Sequence, residues 1–351
     1  MTLSDIAEAA GVSRATVSLV LRHSPSIPSR TKEHVLRHAE NLGYVYNRGA
    51  ASLRSSSTHT VGLVMHDITN PYFTEIVAAV QRELTKSGRV AFLGHTGDCP
   101  EQQRLFVDKI REYSVDGIVM APAAGTDPDW VAKLREWRLP CVTVSRNVAG
   151  VAIDYAGGDN VGGVREATAH LIALGHRRIA MIGGTNSIST GRERLQGYLG
   201  AMAAAQIEVQ PEWVIASPAT REAGYNALIG LLRQEAPPTA AVCFNDVVAF
   251  GVMLALQNLG LKVGSDFSVI GHDDIPETRL WKPRLTTQHV DVAQIGKAAV
   301  DLLIRRMRDW HAPVERIVIP PTFQVRESTT KPPSRQALSK ARDAAIRWKT
   351  R

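Results

Sequence analysis

From residue 60 onward, short apolar runs alternate with amphipathic stretches, and this alternation limits the fold more than any other feature. VGLVM, RVAFLG, DGIVMA and PCVTVS read as buried parallel strands, with helices predicted near 72–87, 100–113 and 128–137 between them. A second series follows: a helix over 160–174, RRIAMIGG, a helix near 191–205, AAVCF, a helix over 246–258 and FSVIGHDD. Two successive strand–helix series predict an α/β fold with two doubly wound lobes. Such lobes bind ligands at the carboxyl ends of their strands, so polar residues just after each apolar run are candidate contacts. These are Asp67, Ser145 with Arg146, Asn245 with Asp246, and Asp273 with Asp274; Arg192 and Arg194 lie at the start of a helix. Converging on a cleft, they suit a hydroxylated or anionic small molecule. Taken singly, each reads at least as well as a helix cap or structural ion pair, and Asn245 and Asp246 directly precede a helix they can cap.

The first sixty residues follow another pattern. Thr2 and Asp5 make a short version of a capping box ahead of a helix over about 3–10, with Leu3, Ile6, Ala7 and Ala10 on one face. Gly11 permits a tight turn, Val12 can pack inward, and Ser13 can cap a second helix whose inward face is Val17, Val20 and Leu21. A third helix, in SRTKEHVLRHAENLGY, takes Ser29 as its predicted N-cap, Val35, Leu36, Ala39 and Leu42 as its apolar stripe, and Gly43 as its stop. Two short helices joined by a glycine turn make a helix-turn-helix. The bland reading is a small helical subdomain without a ligand. The outward donors Ser13, Arg14, Thr16 and Ser18 favour phosphates and base edges instead. Leu19 departs from that set, because leucine offers only apolar contact, such as to a thymine methyl.

Charge is distributed to match. Residues 1–59 hold seven Lys/Arg against four Asp/Glu, residues 331–351 hold seven against one, and the stretch between is slightly acidic. Basic ends on a near-neutral body fit nucleic-acid contact better than the total of +7 alone does. The tail by itself reads equally as a solvated or frayed extension. Cys99, Cys141 and Cys243 lack metal-ligand spacing, and the last two lie in apolar runs, as buried reduced thiols do. No apolar run approaches the ~18 residues of a membrane span, and the start of the chain has no basic-then-apolar leader, so a cytoplasmic protein is expected.

TLSDIAEAAGVSRATVSLVL resembles the DNA-binding signature of the lactose-repressor (LacI) family of transcription regulators, through Thr2, Asp5, Ile6, Ala7, residues 10–13 and residues 16–18. NRGAASLRSSSTHTVGLVMHDITNPYF is similar to that family's linker and the entry to its regulatory domain, and the similarity runs to RESTT near residue 330. The resemblance implies a helix-turn-helix head over 1–46, a hinge helix and linker over 47–59, a two-lobed periplasmic-binding-protein-like effector and dimerisation domain over 60–330, and a basic tail over 331–351. It implies DNA contacts from Thr2, Ser13, Arg14, Ala15, Thr16, Ser18 and Leu19.

Composition alone makes 47–59 a flexible linker. The resemblance implies instead a helix that orders on operator DNA, placing Asn47, Ala50, Leu53 and Arg54 at the duplex. Leu53 would wedge into the minor groove, with Arg48 and Arg54 on phosphates. Gly49 and Ala51 depart from the family's usual alanine and basic residue, so this hinge is expected to order less readily than most.

For the effector, the resemblance implies Arg194 and Asp273 as principal contacts and Asn245 with Asp246 as a second region. The other lobe would contribute the NPYF loop, with Asn70 and Phe73, beside Asp67 and Arg146; Arg192 completes the set. Phe73, Phe244 and Trp281 can stack on a sugar face or simply pack. Ser145-Arg146 stands where the family often has Asp-Arg, which removes a sugar-hydroxyl contact and leaves room for an acidic or phosphorylated effector.

Two rival classes fit less well. For an enzyme, Asp273 and Asp274 are neighbours on a strand and point to opposite faces. GGDNVGG lacks phosphate-loop spacing, and GxSxG and HExxH are absent. A secreted solute receptor would share the two-lobed body but not the head. The expectation is a homodimeric, effector-controlled repressor on a pseudo-palindromic operator. It needs no cofactor or metal; its effector is a small molecule, most simply a sugar or sugar derivative. The tail lacks leucine heptads, which favours a dimer over a tetramer.

Overall fold

The computed structural model describes residues 1–21, 24–45 and 57–348, and the chain divides into two compact units, Met1–Thr58 and His59–Arg351. In the first, α1 (Leu3–Ala9), α2 (Arg14–Leu21) and α3 (Ser29–Asn41) enclose a core of Ile6, Ala7, Ala10, Val17, Val20, Val35 and Ala39. The capping box is formed: the Thr2 amide donates to the Asp5 carboxylate at 2.8 Å and the Asp5 amide to the Thr2 hydroxyl at 3.4 Å. Gly11 turns the chain at φ +62°, a conformation cheap only for glycine. Ser13 Oγ accepts from the Thr16 amide at 3.1 Å and so caps α2.

Two expectations for α3 need correction. Ser29 is its first residue rather than its cap; Pro28 precedes it without a side-chain bond, its fixed φ setting the entry. Leu36 is 40% exposed, because one residue beyond Val35 the helix has turned about 100° from the core. Ile27 and Tyr44 pack on the core instead.

The second unit holds two six-stranded sheets. The first lobe is laid down as β1 (Thr60–Met65), α4 (Pro71–Lys86), β2 (Val90–His95), α5 (Pro100–Glu112), β3 (Gly117–Met120), α6 (Pro128–Glu136), β4 (Cys141–Val144) and β5 (Asp154–Gly158). The second follows as α7 (Asn160–Ala173), β6 (Ile179–Ile182), α8 (Ser189–Ala204), β7 (Val214–Ile215), α9 (Arg221–Leu232), β8 (Ala240–Cys243), α10 (Asp246–Asn258), β9 (Ser268–Asp273) and β10 (Thr286–His289). The chain then returns to the first lobe through α11 (Val292–Arg308) and β11 (Arg316–Ile319), crosses again to β12 (Thr322–Gln324), and ends in α12 (Arg335–Arg347). Strand orders are β11-β5-β4-β3-β1-β2 and β12-β10-β9-β8-β6-β7, parallel except for the β10–β12 pair. Strand-to-helix turns are closed by side-chain caps, Asn70 on Tyr72 N, Asp159 on Gly162 N and Asn245 on Val248 N among them.

RVAFLG is not buried. As β2 it pairs only with β1 at the sheet edge, and Val90, Phe92 and Leu93 are exposed. The return of α11 to the first lobe is not announced by any motif; it packs on α4, where Gly296 leaves room for Ala79. Among the described residues no helix is long and apolar enough to cross a membrane.

Over its described residues, 331–348, the basic tail is helical and packed rather than frayed. Ser334 caps α12 through the Ala337 amide at 3.2 Å, Ala341 and Ala345 are buried, and the helix packs on α9. Arg233 of the α9 C-terminus closes its far end, donating from Nε to the Ala345 carbonyl at 2.9 Å and from Nη2 to the Trp348 carbonyl at 2.7 Å. Deleting residues 331–351 should cost the body on the order of 2–3 kcal/mol. Thermal denaturation reads this directly: an unchanged melting temperature would show that α12 adds nothing to the lobe.

Candidate functional site

At the carboxyl ends of both sheets lies a cleft of about 560 Å³, within the size range of small-molecule sites. The first lobe offers it His66, Asp67, Asn70, Phe73, Asp98 and Arg146; the second offers Thr190, Arg194, Thr220, Phe244, Asn245 and Asp273. Three strand-end residues other than glycine hold left-handed backbones here, Asp98 at φ 57°, Ser145 at 61° and Asp273 at 115°. Conformations of this kind persist where the surroundings enforce them, and they gather at ligand sites.

Arg194, from the second turn of α8, is the hub of the second-lobe wall and is almost fully buried. Its Nε donates to Asn160 Oδ1 at 2.9 Å, its Nη1 to the Phe244 carbonyl, and its Nη2 reaches Asp273 Oδ1 at 3.5 Å. The guanidinium also covers the Phe244 ring, 4.5 Å from its centroid, so that face is taken up by Arg194. Burial raises the Asp273 carboxyl to about 7 against the pull of Arg194. The folded state therefore keeps this proton between about pH 4 and 7, where the unfolded chain has lost it. Stability from this group falls as pH rises through that window and is flat above it. Melting curves from pH 5 to 8 should show a steeper loss for the native protein than for Asp273→Asn; identical profiles would contradict the assignment.

On the first-lobe wall Arg146 Nη1 donates to Asp98 Oδ1 at 2.6 Å and to the Pro122 carbonyl at 3.3 Å. Asp98 was not singled out from the sequence, although it follows strand β2 and the strand-end rule reaches it. The same rule reaches His66, one residue before Asp67. Asp67 spends one oxygen on its own loop, accepting from the Thr69 amide and hydroxyl at 2.8 and 2.6 Å. Asn70 and Asn245 line the cleft while their side chains cap α4 and α10. Across the lobes, the Asn147 amide donates to Ser189 Oγ at 3.0 Å and its side chain to Glu193 at 3.2 Å.

Three candidate contacts, Asp246, Arg192 and Asp274, are not brought to the cleft. Asp246 points into the second lobe, accepting from the Thr287 hydroxyl at 2.6 Å and the Ile275 amide at 3.0 Å; burial, then the Asp273 charge, push its carboxyl well up. Arg192 bonds the Asn186 carbonyl at 2.7 Å and faces a small side pocket. Trp281 packs on Phe250, with ring centroids 4.5 Å apart. Asp274 turns away from Asp273 to Arg279 and Arg326, at 2.7 and 2.6 Å.

In the helical unit, Arg14 and Ala15 are exposed on α2, with Thr16, Ser18 and Leu19 half-buried. Leu19 is not among the side chains packed on the helical core. Thr2 and Ser13 are exposed at the helix N-termini they cap. The hinge positions Asn47, Arg48, Ala50, Leu53 and Arg54 lie outside the described residues.

Residues 2–47 match the profile of bacterial regulatory proteins of the lacI family, and residues 168–329 that of the periplasmic binding protein-like domain. The HTH-type transcriptional repressor PurR of Histophilus somni (strain 129Pt) is 33% identical over 327 residues, 93% of this chain and 98% of its own. Among solved structures, a complex of the transcriptional regulator CelR with cellobiose is 31% identical with a TM-score of 0.71, covering 93% of this chain and 99% of that one. The lac repressor dimer bound to operator and the anti-inducer ONPF is 26% identical with a TM-score of 0.83, over 94% and 99% of the two chains. A helix-turn-helix unit, a two-lobed body with a polar cleft, and relatives matched over almost their whole length together assign this chain to the LacI family of DNA-binding transcription regulators.

Proposed function

We propose that this protein is a cytoplasmic homodimer that binds a pseudo-palindromic operator and adjusts its grip when a small molecule, a sugar or sugar derivative, occupies the interlobe cleft. The observation that carries the reading is the Arg194 hub: a buried guanidinium from α8 that ties Asn160, Phe244 and Asp273 together at the cleft wall. The CelR–cellobiose complex and the operator-bound lac repressor dimer supply precedents for the ligand class and the assembly. Exposed apolar side chains on the β2 edge, Val90, Phe92 and Leu93, with Leu105 on α5, offer a surface for a second copy.

The effector acts by its difference in affinity for the lobe arrangements, one of which the Asn147 bonds to Ser189 and Glu193 favour. The heads read DNA through Arg14, Ala15, Thr16, Ser18 and Leu19, oriented by Thr2 and Ser13. Asn47, Ala50, Leu53 and Arg54 serve the minor groove and its flanking phosphates.

Selection of genomic fragments by the full-length protein tests this. Two inverted half-sites are expected, with T tolerated or preferred beneath Leu19 because leucine offers only apolar contact, as to a thymine methyl. Leu19→Ala should relax that position. An obligatory G there that is lost in Leu19→Ala would overturn the Leu19 role, and the absence of any sequence-selective fragment would overturn operator binding.

A further inference from the structure

The first-lobe end of the cleft carries an unsatisfied group. His66 ends strand β1's run into the cleft with only 3% of its surface exposed, its ring edge-on to Phe73 with centroids 4.2 Å apart. Among the described residues its Nδ1 has no hydrogen-bond partner. Burial first, and then the Arg146 charge, depress the imidazole to about 3, so it is neutral at any physiological pH. The backbone of Ala121 favours a proton on the ring's other nitrogen, which leaves Nδ1 as a bare acceptor. A buried acceptor without a donor is costly, and a ligand that supplies one gains accordingly.

The neighbours of His66 decide which donors are admitted. Arg146 has no charge to spare, since Nη1 is held by Asp98 Oδ1 and the Pro122 carbonyl. Against the cost of burial, Arg146 holds the Asp98 carboxyl below its ordinary range, so it stays ionised. Among the described residues Asp98 accepts from Arg146 and from the Ala124 amide at 2.9 Å, both on Oδ1, which leaves Oδ2 for a ligand donor. At this end of the cleft the carboxylates of Asp67 and Asp98 face a single arginine, Arg146, which is already paired with Asp98. An incoming carboxylate or phosphate would meet Asp67 and Asp98 without a free cation to hold it.

We propose that His66, Asp98 and Arg146 form a subsite that selects a neutral hydrogen-bond donor on the effector, such as a hydroxyl, and turns away carboxylated and phosphorylated analogues. The proposal rests on the reading of the cleft as the effector site. It reverses the room for an acidic effector that Ser145 suggested, because Asp98 supplies from another loop the carboxylate that position 145 lacks.

The full-length protein is screened by thermal shift against neutral sugars, polyols and nucleobases, each sugar paired with its aldonate and its phosphate ester. A neutral probe should raise the melting temperature while its charged partners do not. For that probe, His66→Phe should weaken binding about tenfold. His66→Asn, which keeps an acceptor near the place of Nδ1, should stay within about threefold. A charged partner that binds more tightly than its neutral parent would overturn the subsite, as would a panel in which no neutral probe binds. Binding untouched by His66→Phe but abolished by Arg194→Ala would overturn the subsite and leave the cleft assignment standing; binding untouched by either would overturn both.

Discussion

Arg194→Ala should abolish the response to effector while leaving operator binding by the head close to native. The side chain is almost fully buried and holds three partners, so its loss removes a ligand-facing fork and leaves the Asn160, Phe244 and Asp273 oxygens without their donor. A buried acceptor left unpaired costs about 1–3 kcal/mol, enough to lower the melting temperature of the body without unfolding it. Arg194→Lys separates the two effects. It restores the charge beside Asp273 but not the planar fork, so stability should recover more than ligand response. Operator titrations with and without the cleft ligand measure the outcome, and preserved ligand response in Arg194→Ala would refute the assignment.

Ile6→Ala should have the opposite pattern. Ile6 is completely buried at the centre of a seven-residue core, and the substitution typically costs about 2–5 kcal/mol. A unit of this size has roughly 3–9 kcal/mol of total stability, so the substitution removes a large share of it and operator affinity should fall. Ligand binding by the body should be unchanged, because its core is built from other residues. Ligand affinity measured calorimetrically on Ile6→Ala checks this; a parallel loss of ligand binding would show that the two units do not fold independently.

Much of this was legible in the sequence, for reasons particular to each element. Buried parallel strands lack polar positions, so PCVTV, AAVCF and FSVIG stood out and the polar residues behind them led to Arg146, Asn245 and Asp273. The same pattern misled at RVAFLG, because this edge strand, although exposed, carries as many apolar residues as a buried one. Asp246 was misplaced for a geometric reason: the residue after a cap already lies on the helix, and here it turns into the lobe toward Thr287 and Ile275. Trp281 packs on Phe250, the simpler of the two readings open to it. The return of α11 and β11 to the first lobe is a long-range decision, written in the fit of Gly296 against Ala79 and in no local pattern. Asp98 and His66 obeyed the strand-end rule but were passed over, and the pairing of Asp98 with Arg146 became visible only once two loops 48 residues apart were brought together.

The most direct measurement is the affinity of the full-length protein for its selected operator, with and without the ligand that raises its melting temperature. The linkage proposed here predicts that saturating ligand changes the operator dissociation constant about 5- to 150-fold, the range of ordinary allosteric coupling. It also predicts that operator changes ligand affinity by the same factor, and that the coupling disappears in Arg194→Ala. An operator affinity indifferent to a ligand bound in the cleft would contradict it.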